Sequence, residues 1–388
     1  MAVDDLLSDE GFLYASTLPV EEGDPGRYHA LFGRDSLIAA LQLLPARPEV
    51  ARGTLRALAA RQGRSSHPGT LEEPGRIGHE FRDAAPAAFL EAGWPDEGKF
   101  AYYGTADATS WFIVLAAAAG GFEDATRAAG DWLAEALDRG GGLVRHAPGS
   151  WPALTQQGWR DTLDPTHAYG GGILRPDGTA PEPPLADIDS QAVAYAALRA
   201  LAALEPDAGA THPRDSWAAR ADALRARLSG LATDAMAIEA GDRIVPGAGS
   251  QLGWLLWADA LEPDARDAAA ERLCRPDILT GFGLRTLSSE SPVFAPHAYH
   301  RGSVWPFDSW LGWGGLRAAN RPEEAERVRI GVLAALDRLG RAPELYAVND
   351  AGEVEPIALS NRVQAWSAGA RWALENEWDG RRAPAVPL

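Results

Sequence analysis

The chain of 388 residues is dominated by helical periodicity. Apolar residues recur at the spacing of one helix face in eleven segments, most of them rich in alanine and leucine and free of internal proline. The predicted helices are residues 35–45, 47–61, 106–119, 122–138, 187–204, 213–230, 250–261, 263–274, 303–319, 322–339 and 361–376, with a weak signal for one more near the N-terminus. Strand signals are confined to short hairpins at 237–245 and 345–357. The sequence predicts an all-helical protein with a few short hairpins.

The connections between these predicted helices alternate in length. The first and second, third and fourth, seventh and eighth, and ninth and tenth helices are joined by only a residue or two, whereas the other connections are longer and reach over forty residues. If the helices run up and down in pairs, the long loops all lie at one end. We expect the chemistry at that end. No linker or shift in composition divides the chain, so residues 1–388 are expected to form a single domain.

Charge and composition exclude several classes of function. The 36 Lys and Arg residues are scattered among 54 Asp and Glu, giving a net charge of −18 that disfavours nucleic acid and anionic membranes as partners. A single cysteine, Cys274, permits neither an internal disulfide nor a thiolate zinc site, and we expect no metal and no cofactor. The N-terminus is acidic, and the most apolar run, 111–119, is shorter than the ~20 residues of a membrane span. These features favour a cytoplasmic protein with a small-molecule substrate and an undetermined oligomeric state.

The long loops are rich in carboxylates, guanidinium groups, imidazoles and indoles. A polyhydroxylated ligand suits such walls, because each hydroxyl needs a hydrogen-bond partner and each sugar face needs a flat surface. The sequence therefore predicts a carbohydrate site. The segments are 29–36, 73–84 leading into 102–111, 156–167, 250–257, 298–310 and 343–348.

Eight motifs, in order along the chain, resemble those of the amylo-α-1,6-glucosidase (glycogen-debranching-type) catalytic domain and its relatives among bacterial trehalose, glucosylglycerate and mannosylglycerate hydrolases. They are LFGRDSLIAALQ, EPGRIGHE, YYGTADAT, QGWRDTLD, SQLGWLLW, GLRTL followed by AYHRGSVWP, PELY and VQAWSAGA. The resemblance implies an (α/α)6 barrel and inverting hydrolysis of an α-glycosidic bond. The β-sandwich that precedes the barrel in many relatives is not expected, because the first motif begins near residue 29.

Inverting hydrolysis needs a protonated carboxyl group as general acid and an ionised one as general base. The resemblance places the acid at Asp164, with Asp161 as a sugar ligand. Alternatively, Asp164 caps a turn before Pro165, a common use of Asp-Pro. The base is predicted at Glu344 in PELY, although an exposed loop carboxylate after Pro343 is an equally simple interpretation.

Arg34 and Asp35 form an adjacent cation and anion at the start of the first predicted helix. Relatives of this fold use such a pair to bind the hydroxyls at positions 4 and 6 of the terminal sugar, which implies an exo-acting enzyme. Charged hydrogen bonds are the strongest available for this task. Asp35 is also suited to capping the helix that follows.

Further polar and aromatic residues lie in or beside the matching motifs. Each is predicted to line the sugar pocket or, alternatively, to be a buried group satisfied by its neighbours. They are His79, Glu80, Asp107, Trp159, Gln191, His300, Trp305 and Gln364.

Three motifs depart from the family pattern, at Arg301, at Phe307 and at Arg362 with Val363. Arg301 adds a permanent charge beside the pocket, and an unpaired buried guanidinium is costly, so it needs either a substrate anion or an internal carboxylate. We expect an internal partner such as Asp308 or a carboxylate of a neighbouring loop. A neutral substrate with a terminal α-linked glucose-type sugar is therefore favoured over a charged glycoside such as glucosylglycerate or mannosylglycerate.

Two other classes of protein fit parts of the pattern. A helical-barrel phosphorylase would dispense with the base, so the presence of Glu344 argues against it. A non-catalytic carbohydrate-binding protein would need the aromatic cavity but not both carboxylates.

Overall fold

Twelve α-helices and ten short strands occur in the residues that the computed structural model describes, which are 3–18, 27–96, 98–204 and 216–381. The helices are α1 (Gly33–Leu43), α2 (Pro48–Ala60), α3 (Ala87–Ala92), α4 (Ala108–Ala119), α5 (Glu123–Arg139), α6 (Ile188–Leu204), α7 (Trp217–Ser229), α8 (Gln251–Ala258), α9 (Pro263–Leu273), α10 (Pro306–Ala318), α11 (Pro322–Leu339) and α12 (Ala365–Glu375). The strands are β1 (Leu31–Phe32), β2 (Glu80–Arg82), β3 (Phe100–Tyr102), β4 (Ala186–Asp187), β5 (Ala235–Glu239), β6 (Arg243–Pro246), β7 (Leu279–Thr280), β8 (Gly283–Leu284), β9 (Tyr346–Val348) and β10 (Val354–Pro356).

All eleven predicted helices are present, with ends shifted by four residues or fewer. The first residues of the segment predicted at 213–230 lie outside the described residues. The weak N-terminal signal corresponds to a 3₁₀ helix at Val3–Leu6, and both predicted hairpins form, as β5–β6 and β9–β10. Helix α3 was not predicted. It ends at Gly93, whose φ is 103°, and its six residues are too few to show a periodic pattern.

Six helices form a closed inner ring in the order α1, α4, α6, α8, α10, α12, with α12 packed against α1. The helix that follows each of the first five, namely α2, α5, α7, α9 and α11, packs on its outside. Within the described ranges, α12 instead contacts the 3₁₀ helix Val3–Leu6. This is the predicted (α/α)6 barrel.

Close packing of the inner helices depends on glycine at one crossing. A Cβ on Gly253 of α8 would lie 2.6 Å from the Cα of Gly312 of α10, so these two backbones approach too closely for any side chain. Indole rings fill the interior beside this crossing. Trp111 packs against Trp254 and Trp257 with ring centroids 5.8 and 5.3 Å apart. The barrel is therefore a packed core rather than a channel.

The end where the inner helices finish is closed by residues 378–380. Trp378 donates its indole N–H to the Leu41 carbonyl at 2.8 Å, and Trp310 donates to the Trp378 carbonyl at 2.7 Å. Trp257 likewise donates to the Asp379 carbonyl at 2.7 Å. We call this the closed end. In the part of the chain that the structure describes, no helix combines the length and apolarity that crossing a membrane requires.

Candidate active site

A cavity of about 690 Å³ opens at the other end of the barrel, where the inner helices begin. Its walls come from the segments that precede α1, α4, α6, α10 and α12. The predicted concentration of the long loops at one end is thus confirmed. The SQLGWLLW segment, 250–257, contributes none of the lining residues and packs beneath them.

Ten of the thirteen predicted site residues line this cavity: Arg34, Asp35, His79, Glu80, Trp159, Asp161, His300, Trp305, Glu344 and Gln364. The other three, Asp107, Asp164 and Gln191, do not. Asp107 is fully buried and lies behind Arg34, accepting from its guanidinium at 3.1 Å. Gln191 is equally buried and bonds both backbone groups of Val144, at 2.8 and 2.9 Å. Both therefore support the walls without reaching a ligand.

Asp161 is held in the cavity by Arg34, which is only 3% exposed. The Arg34 guanidinium bridges two loops, because one nitrogen donates to Asp107 and another to Asp161. Burial raises the pKa of Asp161 to about 6, and the charge of Arg34 opposes that rise. Asp161 can therefore hold a proton near neutral pH, and Arg34 is placed to stabilise the carboxylate that remains once the proton leaves.

Asp164, three residues further on, lies outside the cavity. Its side chain is exposed, and Oδ1 accepts from the backbone N–H and the hydroxyl of Thr166 at 2.8 and 2.7 Å. These hydrogen bonds lower the pKa of Asp164, so it is ionised at neutral pH. The structure thus places Asp164 in the turn before Pro165, the alternative to the predicted acid role, because the loop turns its side chain towards solvent.

Glu344 is 2% exposed and is surrounded by hydrogen-bond donors. The Tyr299 hydroxyl donates to Oε1, while the backbone N–H and side-chain amide of Asn361 donate to Oε2 at 3.1 and 3.2 Å. Burial nevertheless raises the pKa of Glu344 to about 7, against the lowering effect of these donors. A carboxylate with this pKa can accept a proton from water near neutral pH.

Asp35 is a cavity residue and not a helix cap. Helix α1 has no side-chain hydrogen bond at its N-cap, which is Phe32, and the Asp35 carboxylate instead accepts from the Gln364 amide at 3.1 Å. Burial raises the pKa of Asp35 to about 7, although the adjacent Arg34 lowers it. Asp35 and Arg34 together therefore present both a hydrogen-bond acceptor and donors to a hydroxylated ligand.

A small antiparallel sheet places two further polar residues in the wall. Glu80 of β2 pairs with Phe32 of β1 on one side and with Tyr102 of β3 on the other. Its carboxylate forms an ion pair with Arg82, and burial raises its pKa to about 7. Burial and the nearby arginines lower the pKa of the neighbouring His79, which is therefore neutral at pH 7.

Aromatic rings form the floor of the cavity. The His300 ring stacks on Trp305 with centroids 5.3 Å apart, and its Nδ1 accepts from the Gly172 N–H at 2.9 Å, which leaves Nε2 as the protonated nitrogen. Trp366 is stacked on Phe307 at 3.9 Å, and its buried indole N–H has no partner among the described residues. Flat rings with a free donor suit the face and hydroxyls of a sugar.

A cluster of buried charged side chains lies directly beneath this floor. The Arg160 guanidinium is 4.3 Å from the Trp159 ring and donates to Asp189 at 3.3 Å. Asp308, also fully buried, accepts from the Trp254 indole at 2.6 Å, and burial raises its pKa to about 6. One arginine therefore faces two buried carboxylates.

The expected pairing of Arg301 with Asp308 is wrong. Asp308 turns towards Trp254 beneath the floor, whereas the buried Nε of Arg301 has no hydrogen-bond partner among the described residues. Arg301 does not line the cavity. Burial lowers the pKa of Arg301.

Several cavity residues escaped the sequence analysis. Tyr299 stands next to His300 in the AYHRGSVWP motif, so its position could have indicated it. Arg27, Tyr28 and Arg82 carry no periodic or motif signal that separates them from surface residues. In the described ranges, no group of three or more His, Cys, Asp or Glu side chains is arranged to hold a metal ion.

The cavity thus combines carboxyl groups that titrate near neutral pH with an aromatic floor. Residues 34–346 match the family model described as the mannosylglycerate hydrolase MGH1-like glycoside hydrolase domain. The chain belongs to this family. The resemblance seen in the motifs is therefore confirmed, and the protein is a glycoside hydrolase.

Solved structures agree with this family in fold. A GH63 mannosylglycerate hydrolase from Thermus thermophilus in complex with Tris is 19% identical, with TM-score 0.65 and coverage of 96% of this chain and 98% of that chain. The same values hold for its complex with Tris and D-glycerate. Neutral trehalase Nth1 from Saccharomyces cerevisiae is 15% identical, with TM-score 0.57 and coverage of 92% of this chain and 72% of that chain. Among curated proteins, none matches the chain significantly in sequence.

Proposed function

We propose that this family member is an inverting, exo-acting hydrolase that removes a terminal α-linked sugar, with Asp161 as general acid and Glu344 as general base. The observation that carries the proposal is that both carboxyl groups line one cavity and titrate near neutral pH. Inverting enzymes need two such groups, about 6.5–9.5 Å apart, to leave room for a water molecule.

Asp161 is the better candidate for the acid than Asp164, which the sequence favoured. A general acid must reach the departing oxygen and must be protonated in the working enzyme. Asp161 lines the cavity and has a pKa raised to about 6, so it holds a proton at higher pH than Asp164, which is exposed and has a lowered pKa. Arg34 assists the step, because the carboxylate formed on proton transfer remains beside a positive charge.

Glu344 accepts the proton of the attacking water. Its three donors fix the carboxylate in one orientation, and Tyr299 holds one oxygen while Asn361 holds the other. Arg34 and Asp35 bind the hydroxyls of the terminal sugar, and Trp159, Trp305 and Trp366 carry its ring face. A cavity of about 690 Å³ lies within the range of small-molecule sites, which favours a substrate of disaccharide size.

A charged glycoside is a second candidate substrate, and a specific observation favours it. Arg27 and Arg82 line the cavity, and Arg82 forms an ion pair with Glu80. Guanidinium groups bind carboxylates well, and a structural neighbour was solved with D-glycerate. Comparing kcat/KM for glucosylglycerate or mannosylglycerate with that for isomaltose or trehalose ranks the two candidates.

Product stereochemistry tests the proposed reaction. We expect ¹H NMR during hydrolysis of an accepted α-glycoside to show the β-anomer of the free sugar first. The Glu344→Gln variant should bind the sugar while its turnover falls by about 10²-fold or more. A first product of α configuration, or full turnover by this variant, would overturn the proposal. A sugar that binds to wild-type protein without turnover would identify a carbohydrate-binding protein instead.

A further inference from the structure

Two amide side chains connect the carboxylates of Asp35 and Glu344. Nδ2 of Asn361 lies 3.2 Å from Oε2 of Glu344 and 3.3 Å from Oε1 of Gln364. Nε2 of Gln364 lies 3.1 Å from Oδ1 of Asp35. Both amides are 1% exposed, so water does not compete for these contacts. Hydrogen bonds therefore run without interruption from Asp35 to Glu344.

The chemistry of the two ends fixes the orientation of both amides. Ionised carboxylates only accept hydrogen bonds, so each must face an amide nitrogen rather than an amide oxygen. Nδ2 of Asn361 then uses one hydrogen for Glu344 and the other for Gln364. Reversing either amide would set oxygen against oxygen. With both carboxylates ionised, this chain of hydrogen bonds consequently has one arrangement.

Asn361 also holds the backbone beside Glu344. The Glu344 N–H donates to the Asn361 carbonyl at 2.9 Å, and the Asn361 N–H donates to the Glu344 side chain at 3.1 Å. Ser360 ties the same two segments together, because its hydroxyl accepts from the Leu345 N–H at 3.1 Å. Asn361 itself does not line the cavity, so its effect on a ligand must act through other residues.

We propose that Asn361 is a positioning residue that fixes the Glu344 carboxylate and, through Gln364, couples it to the sugar-binding Asp35. This inference rests on the proposed function, in which Asp35 binds the terminal sugar and Glu344 activates water. A sugar hydroxyl that donates to Asp35 acts on the same chain of hydrogen bonds that orients the base. Binding of the terminal sugar therefore tightens the geometry of the base in the same complex.

The acidic limb of the pH–rate profile reports on this bridge. Glu344 must be ionised to act, and Asn361 stabilises its ionised form. The other titratable or charged groups that act on Glu344 are Tyr299, Tyr28, Arg27 and Asp35. None of these side chains is removed when Asn361 is substituted, so a shift of the limb reports on the loss of the Asn361 side chain.

The test is Asn361→Ala, measured by kcat, KM and the pH profile of kcat/KM. We expect kcat to fall about tenfold with KM changed less than about threefold, and the acidic limb to move up by about one pH unit, because a donor to the charged form is lost. Asn361→Asp keeps the shape and should move the limb further, since it adds a second carboxylate beside Glu344. This variant also serves if the alanine variant does not fold.

Two comparisons separate coupling from a general loosening of the loop. Ser360→Ala removes a hydrogen bond from the same loop without touching the Glu344 carboxylate, so it should lower Tm and leave the limb in place. In a double-mutant cycle with Asp35→Asn, the loss from Asn361→Ala should be smaller than in the wild-type background.

A wild-type kcat and limb in both Asn361 variants, additive losses in the cycle, or an equal shift in Ser360→Ala would overturn the inference. Glu344→Gln distinguishes this from failure of the proposed function. If Glu344→Gln keeps its turnover, the assignment of the base itself is wrong. If it is inactive while the Asn361 variants behave as wild type, only the coupling is wrong.

Discussion

At the closed end of the barrel the indoles of Trp257, Trp310 and Trp378 all donate to backbone carbonyls, whereas at the cavity end the buried indole of Trp366 has no partner among the described residues. The cavity end also holds four carboxyl groups with shifted pKa values. Asp35, Glu80, Asp161 and Glu344 at the cavity end all have pKa values raised to between about 6 and about 7 by burial.

This difference between the two ends shows where the protein gives up folding stability for ligand binding. A buried donor without a partner costs roughly 1–3 kcal/mol, and a carboxylate with a raised pKa is ionised at the expense of the folded state. The three closed-end indoles avoid the first cost, while the Trp366 indole and the cavity carboxyl groups bear these costs and remain available to a ligand. The contrast is limited to these groups, because the Gln42 amide and the Trp111 indole also have no partner within the described ranges and the cavity-lining Trp305 indole has one.

The largest expected effect on kcat comes from replacing a carboxylate inside the cavity, and it is compared with the same replacement just outside the cavity. Asp161→Asn should reduce kcat by about 10²–10⁴-fold, because the departing oxygen loses its proton donor. Asp164→Asn is the matched control, three residues away, and should leave kcat within about twofold. Steady-state kinetics on an activated and a natural glycoside measure both. Equal losses in the two variants would contradict the contrast between buried and exposed carboxylates.

The pH dependence of kcat/KM should be bell-shaped, with its maximum between about pH 6 and pH 7. Glu344, with a pKa of about 7, must be ionised, so the rate falls as pH drops. Asp161, with a pKa of about 6, must be protonated, so the rate also falls as pH rises. Each limb approaches tenfold per pH unit. A profile that stays flat up to pH 9 is incompatible with Asp161 as the acid.

Asp308 lies beneath the floor of the cavity. The Asp308→Asn variant should lose a part of the pH dependence of the free energy of unfolding. The pKa of Asp308 is about 6 in the folded protein and near 3.9 when unfolded, so the folded state binds its proton more tightly. Wild-type protein therefore loses stability relative to the variant as pH rises from about 4 to about 6, by up to about 3 kcal/mol. Urea unfolding at pH 4.5 and 7.5 measures this difference. A pH-independent difference would show that Asp308 stays ionised throughout.

At the closed end, Trp378→Leu should cost stability and spare catalysis. The variant leaves the Leu41 carbonyl without its donor and removes part of a half-buried ring, which costs about 2 kcal/mol. Thermal unfolding measures the loss, and kcat per folded molecule should match wild type. A large loss of kcat in fully folded protein would mean that the two ends are mechanically linked.

The sequence predicted the barrel well because its signals are local. Helical periodicity predicted every helix from α1 to α12 except the short α3. The alternation of loop lengths and the motifs together predicted that Arg34, Asp35 and Glu344 lie at one end of the barrel. Nothing in a loop such as 156–167 is periodic, so the sequence alone did not indicate which of Asp161 and Asp164 faces inwards. The deciding partner, Arg34, is 127 residues away from Asp161.

Asn361 shows the same limit more sharply. Its side chain does not reach the cavity, and it lies just before α12, at the first residue of the helix that the sequence predicted over 361–376. Its importance depends on contacts with Glu344 and Gln364 that exist only once the ring of helices has closed. The predicted pairing of Arg301 with Asp308 is wrong for a related reason, because Asp308 accepts a hydrogen bond from the Trp254 indole inside the barrel.

The ring of inner helices has an electrical consequence. Five of the six, α1, α4, α6, α10 and α12, begin in the walls of the cavity, and the start of each helix carries roughly half a positive charge from its aligned peptide dipoles. A glycoside hydrolase stabilises a transition state that is itself positive, which this field opposes. The carboxylates of Asp35, Glu80, Asp161 and Glu344 line the same cavity and oppose this field when they are ionised. With those four side chains replaced by amides, the same scaffold would attract anions.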